Sequence, residues 1–147
     1  MKIPITLAAL AGAGFLASTL VPAQAGTGPS ACSVAGAIIV GTAGNDVLVG
    51  TPFADVIRGL GGDDTIRGLG GNDRIVGGPG ADTLIGGPCD DRIRAGTGSD
   101  LARGGLGDDR FWGEPGADTL AGGPGVDRAR GGAGADVCPT TEFTVGC

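Results

Sequence analysis

Aspartate recurs through this chain at nine-residue intervals, at Asp46, Asp55, Asp64, Asp73, Asp82, Asp91, Asp100, Asp109, Asp118, Asp127 and Asp136. Eleven of the fourteen aspartates fall on one phase of nine, which a merely solvated acidic surface would not require. Carboxylates at fixed spacing can move protons or offer oxygen donors to a cation. The chain has no His, so the usual general base and the commonest zinc ligand are both missing. Hydrolytic triads and zinc chemistry are disfavoured, and the chain is not expected to be an enzyme.

The period organises everything around the aspartates. Cut in nines from Gly41, the chain runs GTAGNDVLV, GTPFADVIR, GLGGDDTIR, GLGGNDRIV, GGPGADTLI, GGPCDDRIR, AGTGSDLAR, GGLGDDRFW, GEPGADTLA, GGPGVDRAR and GGAGADVCP, eleven units without insertion or deletion. Position one is Gly except Ala95, and position four is Gly except Phe53 and Cys89. These are backbone demands, since glycine reaches positive φ without strain and lets another group approach the main chain. Position eight is mostly Ile or Leu, with Ala102, Phe111, Ala129 and Cys138 as exceptions. One inward side chain flanked by outward positions seven and nine predicts a three-residue strand. Six turn residues and three strand residues then make a half-coil, and two half-coils return the chain to its starting side, stacking roughly 4.8 Å above the previous coil. Collagen is excluded, because it needs Gly at every third residue.

This pattern resembles the repeats-in-toxin (RTX) nonapeptide family, G-G-x-G-x-D-x-U-x with U large and apolar. The resemblance covers residues 41–139 and implies an all-β fold, a right-handed parallel β-roll (a β-solenoid) of nine-residue half-coils. It also implies calcium as the cofactor, each ion sitting between one turn and the turn a full coil later. Carried over, Asp64 and Asp82 would share an ion with carbonyls such as those of Gly59, Gly61, Gly78 and Gly80. The other aspartates of the column would act likewise, up to nine sites by register. The physical logic agrees, because calcium takes six to eight oxygens and carboxylates with turn carbonyls provide them. With one apolar side chain per unit and so many glycines to order, the core alone is too small, so calcium is expected to drive folding. Phe53 and Cys89, standing where glycine should relax the turn, would weaken the even-numbered units relative to the odd ones.

Outside the repeats, residues 1–25 read as a signal peptide: Lys2, an apolar run from Ile3 to Val21, then Ala23-Gln24-Ala25 as a small-x-small cleavage pattern. Cleavage would leave a secreted chain beginning at Gly26, with an N-terminal cap over 26–40, the roll over 41–139 and a C-terminal cap over 140–147. No membrane span is expected after cleavage. Four cysteines in an exported chain read as bridges. Cys138 and Cys147 are expected to staple the C-terminal end. Cys32 begins a degenerate unit, CSVAGAIIV, with Ala37 in place of the aspartate. That register puts Cys89 three coils away, roughly 14 Å, against a disulfide's Cα reach of about 7 Å, so Cys32–Cys89 is expected to be open unless the cap folds back along the roll.

Formal net charge is −6 at pH 7 and the basic residues are almost all Arg, which makes nucleic acid an unlikely partner. Alternate units share a sheet, so Arg58, Arg74, Arg92, Arg94, Arg110, Arg128 and Arg130 are expected on one face, seven of nine arginines. A solvated face that discourages aggregation is the plain reading of them. A docking surface for an anionic cell-surface polymer is the sharper one. The function expected overall is a secreted calcium-binding module with a structural or interaction role in the extracellular region. Its alternative is the calcium-dependent folding or secretion segment of an RTX toxin or hydrolase that lacks its effector domain.

Overall fold

A residue at position eight of each unit can be buried only if successive units place it on the same inner surface, and strand pairing at 18-residue steps does this. The computed structural model describes residues 32–147. The signal peptide expected at 1–25 and the first part of the expected cap, 26–31, lie outside the described residues. Twelve strands, numbered in chain order, form two parallel sheets, and there is no helix among the described residues. One sheet holds β1 (Ala35–Val40), β3 (Ala54–Arg58), β5 (Arg74–Pro79), β7 (Arg92–Thr97), β9 (Arg110–Pro115), β11 (Arg128–Ala133) and β12 (Phe143–Val145). The other holds β2 (Val47–Val49), β4 (Thr65–Arg67), β6 (Thr83–Pro88), β8 (Leu101–Leu106) and β10 (Thr119–Ala121), with Val137 bridging to Thr119. The result is a β-solenoid of about six turns.

Register follows the period throughout. Ile39, Ile57, Ile75, Ile93, Phe111 and Ala129 pair in sequence across the first sheet. Leu48, Ile66, Leu84, Ala102 and Leu120 do so across the second. These two rows are the core, with Ile57, Ile66, Ile75, Leu84, Ile93, Ala102 and Leu120 fully buried. Small Ala102 and large Phe111 follow one another in the same coil, so interior volume is shared between the sheets.

Several strands are longer than the three residues expected. In β5 to β9 the ladder runs on through positions one to three of the next unit, pairing Gly78 with Gly96, Pro79 with Thr97 and Gly87 with Gly105. The reason is that these turn residues still bond coil to coil, as in Gly80 N–H to Thr97 O at 2.9 Å. Position two carries much of the unusual backbone: Gly78 has φ 130°, and Leu60, Leu69 and Glu114 adopt φ 85°, 82° and 74° without being glycine. Position four meets the expected demand as well, at Gly62, Gly71, Gly80, Gly98, Gly107, Gly125 and Gly134 and at Cys89 with φ 89°, but Phe53 is not in the positive-φ region, so the strain expected at Phe53 is absent.

The cysteines correct the reading more sharply. Cys138–Cys147 forms the expected end staple, and Cys32–Cys89 is also a disulfide, with Cα atoms 5.9 Å apart. Residues 32–34 do not occupy a coil of their own. They climb the side of the roll, with Val34 O accepting from Ala54 N–H at 2.8 Å and Cys32 O from Asn72 N–H, one coil further, at 2.7 Å. The next step up that side is Cys89. From Ala37 onward the degenerate unit does keep register, since Ile39 pairs with Ile57.

Candidate metal centre

Position six lies at or just before the start of each repeat strand, so strand register carries the aspartates into two columns along opposite edges of the roll. Asp55 to Asp127 of the series are buried, from fully so at Asp109 and Asp127 to 3% exposed at Asp100, whereas Asp46 and Asp136 in the end coils are half-buried. The fold uses one oxygen of each carboxylate as rungs of a ladder. Asp64 N–H donates to Asp82 Oδ1 at 2.8 Å, and Asp82 N–H to Asp100 Oδ1 at 2.8 Å. On the other edge Asp73 N–H donates to Asp91 Oδ1 and Asp91 N–H to Asp109 Oδ1, each at 2.8 Å. Asp55 and Asp46 enter the same ladders through Asp73 and Asp64.

The second oxygen has no such use. Oδ2 is buried and without a hydrogen-bond partner in Asp64, Asp82, Asp100, Asp118 and Asp136 of one column and in Asp73, Asp91, Asp109 and Asp127 of the other. Eight of these nine oxygens lie over a position-one glycine; in the ninth unit, that of Asp100, Ala95 stands at position one and is buried with the core. A methyl placed on Gly59 would overlap Asp64 Oδ2 and stand 2.7 Å from Gly77 O, and one on Gly77 would overlap Asp82 Oδ2 and stand 2.5 Å from Ala95 O. Position one is therefore glycine because a carboxylate oxygen and a main-chain carbonyl occupy the space where a side chain would start. Two acceptors lie side by side there and no protein group donates to the carboxylate oxygen, so a proton or a cation has to balance it.

Burial favours the proton in the absence of a cation. Desolvation pushes the carboxyl of Asp91 up to about 8, with the neighbouring aspartate charges adding to it and the Asp73 backbone N–H opposing. The same cause, burial first, raises Asp73 and Asp109 to about 7 and Asp100 to about 6. Asp82, Asp118 and Asp127 are raised from the ordinary aspartate value by burial as well. A divalent cation would reverse this preference, because it supplies positive charge at the unsatisfied oxygens.

The residues fit a hard cation. Every donor at the candidate centre is an oxygen, and among the described residues no three carboxylates or thiolates converge into an all-side-chain cage. A cation would accordingly be held by carboxylate oxygens together with main-chain carbonyls, the donor set calcium takes. Of the carbonyls expected to help, that of Gly59 lies beside the Asp46 carboxylate, one coil before Asp64, while Gly78 and Gly80 direct theirs toward Gly96 and Gly98 of the next coil. Gly61 is tied into its turn by an N–H bond to Thr42 O at 3.3 Å. The carbonyl brought beside Asp64 is that of Gly77, which the sequence reading did not single out.

The two ends of the columns are closed differently. Asp46 Oδ2 accepts from Thr42 N–H at 2.6 Å and from Thr42 Oγ1 at 3.0 Å. Asp55 Oδ2 accepts from Thr51 N–H at 2.5 Å and from Thr51 Oγ1 at 3.1 Å. Threonine stands at position two only in these two units, which is the signal the sequence reading passed over. At the other end, Asp127 N–H donates to Glu142 Oε2 at 2.6 Å, so a glutamate outside the nonapeptide frame takes the place of the next aspartate. A second, outer ladder was also missed: Asp63 N–H bonds Asn45 Oδ1, Ala81 N–H bonds Asp63 Oδ1 and Asp108 N–H bonds Asp90 Oδ1. Its signal was the Asn or Asp at position five.

Fold and centre together define a parallel β-solenoid with oxygen-only cation sites in its turns. The family model of the RTX calcium-binding nonapeptide repeat (4 copies) matches residues 40–75, 67–102 and 103–138, and the chain belongs to that family. Its repeats bind calcium, so Ca2+ is the expected cofactor. No curated protein and no solved structure matches the chain significantly.

Proposed function

We propose that this is a secreted calcium-responsive module, without enzymatic activity, that gains its rigid form on meeting extracellular calcium and acts there as a structural or interaction element. The observation that carries the reading is the set of nine buried Oδ2 atoms without donors, eight of them over a position-one glycine. Such a column disfavours the folded state at neutral pH unless cations are present, and extracellular binding modules work at about 0.1 to 1 mM calcium. Export is supported by the N-terminal sequence and by two disulfides, which persist in oxidising compartments. The arginine face supports an interaction role, since calcium would offset the buried acidic charge and leave a cationic sheet facing outward. The test is expression in a secreting host: the medium should contain a chain starting at Gly26 whose strand circular dichroism disappears on chelation. An intracellular chain with an intact N-terminus, or one indifferent to chelation, would overturn the reading.

A further inference from the structure

The outer surface of the seven-stranded sheet carries its side chains in two columns. Arg74, Arg92, Arg110 and Arg128 occupy consecutive rungs of one. Val76, Arg94, Trp112 and Arg130 occupy the same rungs of the other. Rungs are separated by about 4.8 Å and the columns by about 7 Å, two residues along a strand. Between them lies a groove of about 230 Å³, walled by Arg74, Arg92, Arg94, Val76 and Trp112.

Two of the three arginine charges lining this groove are not spent internally. Arg94 Nε pairs with Glu114 at 2.9 Å, which holds that wall in place, but among the described residues no carboxylate pairs with Arg74 or Arg92, and both side chains are exposed. The position-six aspartates are turned into the edges of the roll and do not reach this face. Trp112, the one tryptophan of the chain, is half-buried beside them. An indole offers a flat apolar face with negative quadrupole, which suits the C–H face of a pyranose ring. Arginine forks suit carboxylate or sulfate. The repeat of the arginine column at a constant rung spacing suits a chain of charges better than a single anion.

We infer that this groove binds an acidic polysaccharide, one sugar lying against Trp112 with its anionic group at Arg92 and neighbouring acidic groups following the arginine column. The inference rests on the interaction role proposed above and names its ligand class. Charge alone would also admit other polyanions; the tryptophan is what selects a sugar chain.

The experiment is a titration of Trp112 fluorescence in the full chain at fixed, buffered free calcium, with oligogalacturonate as probe and a neutral oligosaccharide of equal length as control. Saturable change with the acidic oligomer alone is expected. Arg92→Ser should weaken it by about tenfold or more, the loss of one charge-assisted hydrogen bond. Trp112→Phe, followed by calorimetry, should weaken it while leaving binding of polyphosphate unchanged. Circular dichroism on the same samples reports calcium-dependent folding separately, so a folded roll that ignores the oligomer sinks the groove and leaves the calcium reading standing. Equal binding by Arg92→Ser, or binding of DNA or anionic vesicles as tight as that of the oligomer and equally indifferent to Trp112→Phe, would overturn the assignment.

Discussion

Position-one glycines are required for space, and this can be tested against a glycine that is not. In Gly77→Ala the new methyl overlaps Asp82 Oδ2 and lies 2.5 Å from Ala95 O, both inside van der Waals contact. In Gly61→Ala the nearest atom is Pro79 O at 3.7 Å, and Gly61 is not in the positive-φ region. Both variants gain about 0.4 to 1 kcal/mol from a less flexible unfolded chain. Only Gly77→Ala adds an overpacking cost, about 1 to 3 kcal/mol, and it also displaces the carboxylate oxygen offered to a cation. Thermal unfolding is the sensitive assay, because a domain of this size moves about 4 to 8 °C per kcal/mol. The calcium midpoint is less sensitive: if nine ions bind in one cooperative step, a tenfold change in free calcium is worth about 12 kcal/mol, and a 2 kcal/mol defect moves the midpoint less than twofold. At saturating calcium, Gly61→Ala should therefore melt at or slightly above the parent, and Gly77→Ala several degrees below it with one fewer ion bound. Equal melting temperatures and equal stoichiometry for the two would refute the account of position one.

The buried carboxylates set a pH dependence in chelator. Their folded values lie above the ordinary one, so the stability they contribute is full below about pH 4 and is lost as pH rises through about 6 for Asp100, about 7 for Asp73 and Asp109 and about 8 for Asp91. Strand circular dichroism without calcium should be largest in mild acid and fall between those values, and a signal that instead grows with pH would count against the burial argument. Thr51→Val removes the hydroxyl bonds to Asp55 and should cost about 1.5 to 3 kcal/mol without changing the number of ions bound, as read by melting and calorimetry. Replacing Cys32 and Cys89 by Ser should cost about 2 to 5 kcal/mol and release the N-terminal segment to proteolysis, while Cys138 and Cys147 variants should fray only the opposite end.

Much of this molecule was legible because its physics repeats. A nine-residue period fixes which side chain is inward, so Ile57, Ile66, Ile75 and Leu84 were identifiable as core before any coordinate. The same period placed the aspartates and the seven-arginine face. What it could not show lies where repetition stops. Cys32 approaches Cys89 because residues 32–34 leave the coil and run along the stack, a path no register encodes. Glu142 substitutes for an aspartate from a segment with no frame to count in. Thr42 and Thr51 look like ordinary variation at position two until Asp46 and Asp55 are found already satisfied. Leu60, Leu69 and Glu114 hide a positive-φ site because their side chains project outward and the turn bonds hold the backbone. The period also left open how much of each turn joins the ladder, since glycine main chain pairs as well as strand residues do.

The central claim is that the unsatisfied Oδ2 atoms are calcium ligands whose occupation stabilises the roll. Equilibrium dialysis of the full chain against buffered calcium, with circular dichroism on the same samples, tests it most directly. The account predicts uptake approaching nine ions per chain, one for each unpartnered Oδ2, rising together with strand signal and not reproduced by magnesium. A chain that is rich in strand in chelator at neutral pH, and that takes up no calcium at millimolar concentration, would contradict it.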